Sequence, residues 1–428
     1  MIAVALLLLL GLMLLSIPVA ASLGLLGLSL SEFYAFLPLH RATAQMAWNA
    51  GNDSVLLAVP LFILLGEILL RSGMAERMYG AMVPWLSWLP GGLMHSNIGA
   101  CTMFAATCGS SVATAATVGT VAIEQIERYG YNERLFLGTL AAGGTLGILI
   151  PPSINMIVYG ALTNTSIPKL YLAGFIPGFL LAGLFMLTTY IACRLRPAWG
   201  GRKIVTSWAD RVRVLPDLVP PLLIFVLVVG VIYTGWATPS ESAALGVLAA
   251  AALAAWNRRL NAETMRAAIE GTMKTTGMAM AILTASYFLN FVITSIGLTR
   301  QISDAVLSLQ MSPLVTLLWV IVFYLILGCF METLSMMIAT VPIIAPVVFA
   351  LGYDPVWFGI LVILLIETAM ITPPVGINLF VVQGLRKRGG LNDVIIGTLP
   401  FVGTLLVMIA LLVAFPNIAM FLPNAFND

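Results

Sequence analysis

Charged side chains are scarce in this sequence. Only 9% of its 428 residues are Asp, Glu, Lys or Arg, whereas 60% are hydrophobic, and soluble domains carry about 25% charged residues. So few charges cannot cover the surface of a soluble protein of this length. The composition therefore argues against a soluble enzyme, and also against a nucleic-acid-binding protein, which needs a basic surface patch.

Cysteine and histidine are scarce as well. The sequence has four Cys and two His. The Cys show no C-x-x-C spacing, and we expect them to be small apolar side chains of helices. His40 and His95 lie in separate regions, so we predict no transition-metal site, and a polytopic membrane enzyme is disfavoured. The sequence contains no Walker A motif, so we do not expect ATP to drive this chain directly.

Long apolar runs recur from Met1 to Leu422. About 20 apolar residues cross a bilayer as one helix, so we predict an all-α polytopic membrane protein. The candidate spans are 2–29, 54–72, 133–163, 169–194, 218–236, 240–256, 275–297, 355–385 and 394–416. We interpret 2–29 as a retained span rather than the core of a signal peptide, because no Lys or Arg precedes it.

Four stretches depart from a simple span. Segments 133–163 and 355–385 are too long for one straight helix. Each contains Pro-Pro, which removes two backbone donors and should unwind roughly a turn. Segments 92–128 and 311–350 have small and hydroxylated residues at their centres. We therefore predict two helices broken at their prolines and two re-entrant helical hairpins.

The positive charges test this topology. We assume a cytoplasmic N-terminus, alternating spans, and hairpins that return to their own side. Only Arg41, Lys169 and Arg300 of the 20 Lys and Arg then lie outside. The other 17, Lys387 among them, are cytoplasmic, as the positive-inside rule requires. If either hairpin crossed the membrane only once, every later loop would change sides and this bias would be lost. The charges therefore favour two hairpins that open on opposite faces.

The two halves of the chain resemble each other at an offset of about 222 residues. The ordered matches are Gly73 with Gly297, Gly130-Tyr131-Asn132 with Gly352-Tyr353-Asp354, Pro151-Pro152 with Pro373-Pro374, and, one residue slipped, Asn155 with Asn378. Each glycine of the first pair ends a span before a short amphipathic segment. Because the predicted hairpins open on opposite faces, we infer an inverted repeat, as in many secondary transporters.

These features divide the chain into five segments. They are scaffold spans and a first interfacial arm at 1–91, a first transport half at 92–193, a cytoplasmic linker at 194–217, scaffold spans and a second arm at 218–310, and a second transport half at 311–428. At 257–274, charged residues alternate with apolar ones. We expect a helix in the membrane interface there, or else a solvated loop, before the span that begins at 275.

The hairpin tips and helix breaks are the predicted ion-binding elements. Irregular backbone at membrane depth is tolerated only where it is buried in protein or lines a cavity. Freed carbonyls and helix C-termini suit Na⁺, whereas helix N-termini suit a carboxylate. No Lys or Arg lies near a tip or a break. We therefore predict one Na⁺ site in each half, with an anionic substrate between them.

Side chains at the tips and breaks supply the candidate ligands. The first Na⁺ site is assigned to Ser110, Ser111, Thr114, Pro151, Ser153 and Asn155. The second is assigned to Glu332, Thr333, Ser335, Thr372, Pro373, Gly376 and Asn378. Substrate contacts are assigned to Ser111, Asn155, Thr372 and Asn378.

Plainer interpretations stay open beside these assignments. The prolines could be kinks, and the hydroxyls could pack helices together. Glu332 is either a functional group at membrane depth or only a cap of the following helix. For Glu67 and Glu367, which also lie within spans, we favour a structural hydrogen bond or a protonated carboxyl over a direct role in transport.

This series of motifs resembles the large membrane subunit of tripartite ATP-independent periplasmic (TRAP) transporters, in the ion-transporter superfamily. The resemblance covers nearly the whole chain, from Val59-Pro60-Leu61-Phe62 through 108–117 and 147–155 to 332–378. It implies an elevator-type, Na⁺-coupled importer of organic acids, such as dicarboxylates or sialic acids, in the bacterial inner membrane. It also implies that the sodium and substrate sites are surrounded by Ser110, Ser111, Asn155, Glu332 and Thr372.

The resemblance further implies two protein partners. One is a small four-helix membrane subunit, expected as a separate chain, and the other is a periplasmic solute-binding protein that delivers the substrate. The alternative in the same superfamily is a stand-alone anion carrier or antiporter that needs no binding protein. A channel is less consistent with inverted hairpins beside broken helices, which suit alternating access.

Three substitutions test the sodium assignment. Ser111→Ala, Asn155→Ala and Thr372→Ala should each raise the Na⁺ concentration for half-maximal uptake several-fold, because each removes a polar group from a tip or a break. Expression should be retained. If all three variants keep the wild-type Na⁺ dependence of uptake, the site assignment is wrong, even if the fold is right.

Overall fold

The computed structural model describes residues 1–308, 311–386 and 388–426, and Lys387 of the charge count lies outside them. Helices and connecting turns make up the described chain. Its first half contains α1 (Ile2–Leu14), α2 (Val19–Tyr34), α3 (Thr43–Gly51), α4 (Ala58–Arg71), α5 (Met74–Leu86), α6 (Leu93–Cys108), α7 (Ser111–Ala122), α8 (Gln125–Tyr129), α9 (Glu133–Thr145), α10 (Ile154–Thr163) and α11 (Ile167–Leu195).

The second half repeats the pattern of short and long helices. It contains α12 (Trp208–Arg213), α13 (Val219–Tyr233), α14 (Pro239–Trp256), α15 (Ala262–Ser295), α16 (Leu298–Ser308), α17 (Pro313–Gly328), α18 (Thr333–Ala350), α19 (Pro355–Met370), α20 (Ile377–Gly384), α21 (Leu391–Ala414) and α22 (Asn417–Ala425). Short 3-10 turns lie at Leu39–Ala42, Leu146–Ile148, Pro197–Gly200 and Leu215–Leu218.

Two predicted segments are built differently from our expectation. The prediction of one span over 2–29 is wrong, because α1 and α2 are separate helices. Pro18 at their junction cannot donate to a helical hydrogen bond. The prediction of a separate interfacial helix before residue 275 is also wrong, because α15 is continuous over 34 residues. No proline interrupts it, so the amphipathic stretch continues directly into the span.

The first hairpin is re-entrant. Helices α6 and α7 have 16 and 12 residues, or about 24 and 18 Å at 1.5 Å per residue, less than the ~30 Å bilayer core. Cys101 of α6 and Ala115 of α7 lie against consecutive glycines of α9, so the two arms share one depth. At the mouth, the Leu93 amide donates to the Tyr131 hydroxyl at 3.0 Å. The chain therefore enters and leaves at the same end of α9.

The second hairpin is formed by α17 and α18. A hydrogen bond of 2.8 Å between the Tyr324 and Thr340 hydroxyls joins its two arms. At its tip, the Cys329 carbonyl accepts from the Val375 amide at 3.3 Å. The tip therefore touches the break between α19 and α20, just as the first tip touches the break after α9.

The two broken helices run in opposite directions. The Tyr159 hydroxyl of α10 donates to the carbonyl of Pro355, the first residue of α19, at 2.7 Å. Arg386, which follows α20, pairs with Glu133, the first residue of α9, at 2.6 Å. Each broken helix therefore ends where the other begins, and the hairpins open at opposite ends. The predicted inverted repeat, hairpins and breaks are confirmed, while the five-segment division stays a prediction.

The repeated Gly-Tyr-Asn and Gly-Tyr-Asp motifs are helix starts. Asn132 caps α9, accepting from the Leu135 amide at 3.0 Å. Its counterpart Asp354 caps α19, accepting from the Val356 and Trp357 amides at 2.7 and 3.1 Å. Asn and Asp are favoured there because their oxygens satisfy amides that have no intrahelical partner. The predicted end of a span at Gly73 is also confirmed, since the chain bends by 69° there, between α4 and α5.

Labelling of single cysteines tests the re-entrant geometry. Trp88 and Glu127 are exposed on the two sides of the first hairpin, so Trp88→Cys and Glu127→Cys should react with an impermeant maleimide from the same side of the membrane. Trp236→Cys, in the exposed turn after α13, is the matched control and should react from the opposite side. Labelling of the first two positions from opposite sides would contradict a re-entrant hairpin.

Candidate substrate and cation site

A cavity of about 360 Å³ lies where both hairpin tips and both helix breaks meet. Its size is within the range of about 300–1,000 Å³ for small-molecule sites. The tips contribute Ser110, Ser111, Glu332 and Thr333, and the breaks contribute Ile148, Ile154, Asn155, Met370 and Ile377. The predicted scaffold closes the other side with Ile63, Glu67, Leu70, Thr275 and Met278. The structure thus joins the two predicted half-sites around one space.

The first tip is inserted into the first break. Gly109 has a φ of +63°, and a Cβ there would lie 2.6 Å from the Pro152 carbonyl oxygen. A Cβ on Gly147 would lie 2.6 Å from the Ser110 carbonyl oxygen. Only glycine allows both the left-handed turn and the close backbone contact. Ser153 closes the break, because its hydroxyl donates to the Ile148 carbonyl at 2.5 Å.

The second tip is organised by Glu332. Its Oε1 accepts from the Thr333 hydroxyl and the Leu334 amide at 2.8 and 3.1 Å. Its Oε2 accepts from the Ser335 amide and hydroxyl, both at 3.0 Å. Glu332 therefore caps α18, as our plainer interpretation expected, and it lines the cavity as well. Between this tip and the second break lies a narrow gap lined by Met331, Thr333, Met370, Val375 and Gly376.

Asn378 joins the second break to the first tip. Its Nδ2 donates to the Ser111 hydroxyl at 3.0 Å and to the Ala141 carbonyl at 3.1 Å. Asn378 follows the second break, so the two half-sites are in direct contact. Its counterpart Asn155 is also buried and lines the cavity. Within the described residues, however, the Asn155 Nδ2 has no hydrogen-bond partner.

Four helices begin at the cavity wall. Their first residues, Ser111 of α7, Ile154 of α10, Thr333 of α18 and Ile377 of α20, all line it. The first amides of a helix lack intrahelical acceptors, and the helix dipole makes that end positive. The described lining includes no Lys or Arg. Glu67 and Glu332 also line the cavity, so the helix N-termini are the source of positive partial charge among its lining residues, and such ends favour an anion.

Helix C-termini meet in each half-site. Helix α6 ends at Cys108 and the 3-10 turn after α9 ends at Ile148, and both residues line the cavity. Helix α17 ends at Gly328, which lies against Ala369 near the end of α19. The carbonyls of such ends carry partial negative charge. Each tip and its break thus offer oxygen atoms of the kind that Na⁺ prefers.

The scaffold wall carries a carboxylate that our sequence reasoning left in doubt. Glu67 of α4 lines the cavity and forms an ion pair with Arg71, one turn along the helix. On its other side it lies against Gly271 of α15, where a Cβ would be 2.7 Å from the carboxyl. Thr275 and Met278 beside it were missed, since no sequence signal places this part of α15 near the tips.

Several predicted ligands lie behind the cavity wall instead of on it. The Thr114 hydroxyl donates to the Ser110 carbonyl at 2.7 Å and contacts Cys108. The Thr372 hydroxyl donates to the Thr368 carbonyl at 2.6 Å. Also outside the lining are Pro151, Ser153, Ser335, Pro373, Gly376 and Asn378. Glu367 is fully buried in α19, and neither of its carboxyl oxygens has a partner within the described residues.

Comparison with known proteins agrees with this architecture. Residues 6–418 match the family model of the tripartite ATP-independent periplasmic transporter, DctM component. The chain belongs to this family. It is 36% identical to the C4-dicarboxylate TRAP transporter large permease protein DctM of Pseudomonas aeruginosa, over 90% of each chain. It is 32% identical to the sialic acid TRAP transporter large permease protein SiaM of Vibrio cholerae, over 97% of each chain.

Among solved structures, the YdaH transporter of Alcanivorax borkumensis has the same fold. The two superpose with a TM-score of 0.66 at 16% sequence identity, over 90% of this chain and 88% of the other. The chain therefore shares its fold with a solved membrane transporter at low sequence identity. The matched family is one of transporter permeases.

Removal of the Glu332 cap tests the account of the second tip. Glu332→Ala should lower the free energy of unfolding by about 1–2 kcal/mol, as loss of a helix cap does. Glu332→Gln keeps an acceptor and should lose less. Chemical unfolding of the purified chain in detergent measures both. Equal stability of the wild type and Glu332→Ala would show that this carboxylate does not hold the tip.

Proposed function

We propose that this chain is the large permease of a system that imports an organic acid across the bacterial inner membrane, coupled to Na⁺. The observation that carries the proposal is the cavity on which four helix N-termini converge without a basic side chain. Such a site binds a carboxylate through backbone amides and helix dipoles. The two relatives named above are permeases for C4-dicarboxylates and for sialic acid, and both substrates are carboxylates.

In this proposal Asn155 is the side-chain donor to the substrate. Its amide is buried at the cavity wall and has no protein acceptor within the described residues. A buried donor without an acceptor is costly, and a carboxylate oxygen would satisfy it. The Nδ2 of Asn378 already donates to Ser111 and Ala141, so the two asparagines have different roles. Asn155 contacts substrate, and Asn378 holds the first tip in place.

Na⁺ occupies the two half-sites behind the cavity. In the first, the ligands are backbone carbonyls of the tip at Ser110 and of the break at Pro151, with the Ser111 hydroxyl. In the second, they come from the Thr333 tip and the Gly376 break. These positions lie in the irregular backbone that follows the C-termini of α6 and α17 and of the broken helices, where carbonyl oxygens are available at membrane depth. Binding of the cation fixes each tip on its break and so completes the wall of the anion site.

Transport follows an elevator motion in this proposal. The hairpins and broken helices move as one body past the wall made by α4 and α15. Gly66 of α4 supports this, because a Cβ there would lie 3.1 Å from the Cys108 carbonyl oxygen of the first tip. The scaffold helix and the first tip are therefore in close contact at that point. The N-terminus is cytoplasmic, as the positive-inside count predicts.

Two partners complete the system. A small four-helix membrane subunit packs against the scaffold as a separate chain, and a periplasmic solute-binding protein supplies the substrate. Family membership supports this proposal. The alternative is a stand-alone anion carrier or antiporter of the same superfamily that needs no binding protein.

Reconstitution in proteoliposomes tests the coupling. An inward Na⁺ gradient should drive uptake of a C4-dicarboxylate or sialic acid, without ATP, by at least about tenfold over an equal K⁺ gradient. Uptake should require the small subunit and the binding protein. Equal uptake in Na⁺ and K⁺ would contradict coupling, whereas Na⁺-driven uptake by this chain alone would favour the stand-alone carrier.

A further inference from the structure

Helix α20 depends on its surroundings for its position. It has only eight residues, about 12 Å at 1.5 Å per residue. A helix this short is not stable by itself, and irregular backbone precedes it at the second break. Yet its second residue, Asn378, must meet the Ser111 hydroxyl of the first tip. Something beyond the break must therefore set the depth of α20.

Arg386 fastens the other end of α20. Its side chain is only 3% exposed, although it follows the helix at the protein surface. One guanidinium nitrogen donates to Gln383 and to the Gly390 carbonyl at 3.1 and 3.2 Å. The other bonds Glu133 at 2.6 Å and lies 3.7 Å from Asp393. Arg386 thus joins α20 to the first turns of α9 and α21.

The spacing of the contacts makes this a two-point attachment. Asn378 and Arg386 are eight residues apart, and their partners on α9, Ala141 and Glu133, are also eight residues apart in the opposite direction. Eight residues rise about 12 Å along a helix. The two antiparallel segments therefore match at both ends, and sliding α20 by one turn would break both contacts.

The other repeat has an attachment at the corresponding place. Pro355, the counterpart of Glu133 in the repeat, accepts a hydrogen bond from Tyr159 of α10 at 2.7 Å. Each short helix after a break is thus held at the start of the other repeat's broken helix. The position at the start of the broken helix is the same, but the donors differ: a hydroxyl within α10 in one case and a guanidinium beyond the end of α20 in the other.

We propose that Arg386 is a positioning residue for the first cation half-site, because it holds α20 on α9 at the depth where Asn378 meets Ser111. This inference rests on the proposed function, in which Ser111 belongs to that half-site. Arg386 itself contacts neither cation nor substrate. It acts through Asn378, so its effect should appear in the apparent Na⁺ affinity and not in the maximal rate.

The test is Na⁺-dependent uptake in proteoliposomes that contain the chain and both partners. Arg386→Ala should raise the Na⁺ concentration for half-maximal uptake roughly tenfold, because it removes the hydrogen bonds to Glu133, Gln383 and Gly390. Asp393 keeps its pair with Arg134 at 2.9 Å. The maximal rate at saturating Na⁺ should change less than about twofold. Arg386→Lys keeps the charge but not the fork of donors, so its shift should be intermediate. If Arg386→Ala does not fold, the shift of Arg386→Lys provides the test.

A double-mutant cycle with Asn378→Ala identifies the route of the effect. If Arg386 acts through Asn378, the double variant should be shifted no further than Asn378→Ala alone. Multiplied shifts would overturn the inference. The matched control is Arg388→Ala, whose ion pair with Glu127 is exposed on both sides and should contribute almost nothing. An equal shift in that control would also overturn it.

The same measurements separate this inference from the proposed function. A Na⁺-dependent wild type with an unshifted Arg386→Ala would contradict the positioning role and leave the function standing. A wild type whose uptake ignores Na⁺ would overturn the proposed function, and the positioning role with it.

Discussion

The structure depends on one constraint, which is that backbone amides and carbonyls at membrane depth must find partners without water. Two Pro-Pro breaks and two hairpin tips leave such groups unpaired within their own helices. The chain resolves this by placing each tip on its break, so that Gly109 meets Pro152 and Cys329 meets Val375. The hydrogen bond between Val375 and Cys329 satisfies one pair of these groups, and both tips and both breaks line one cavity.

The same arrangement separates charge without using basic residues. Helix N-termini line the cavity, and the C-terminal residues Cys108, Ile148 and Met370 line it where each tip meets its break. An anion and cations can therefore be held close together by backbone alone. One of the four N-termini is already occupied by an anion, because the carboxylate of Glu332 caps it. The other three carry no charged cap, since Ser110 and Ser153 cap α7 and α10 through hydroxyls and α20 has no side-chain cap.

Much of the fold could be predicted because its signals are local. Pro-Pro in the interior of an apolar segment breaks the helix, whereas Pro220-Pro221 is tolerated in the first turn of α13. Asn132 and Asp354 cap helices through their own next few amides. The positive-inside count then favours returning hairpins over crossings. The errors arose where local signals were weak. Pro18 divides a segment whose hydropathy is continuous, and α15 passes from amphipathic to apolar sequence without a breaker.

The candidate site was predictable only in part, since it is made by contacts between distant segments. Sequence position identified the tips and breaks, but not which of their side chains face the cavity. It could not show that Asn378 contacts the opposite tip, that Thr114 turns inward, or that Glu67 and Thr275 form the far wall. Those facts depend on how the two repeats interlock, which no local pattern records.

The most direct test of the central claim is a high-resolution map of the complete system with Na⁺ and its acid bound, beside a map in choline. The account predicts cation density between each tip and its break, at Ser110 and at Thr333, with a carboxylate against the N-termini of α7 and α10. These features should be lost in choline. A substrate held by a basic side chain, or cations bound away from both breaks, would contradict it.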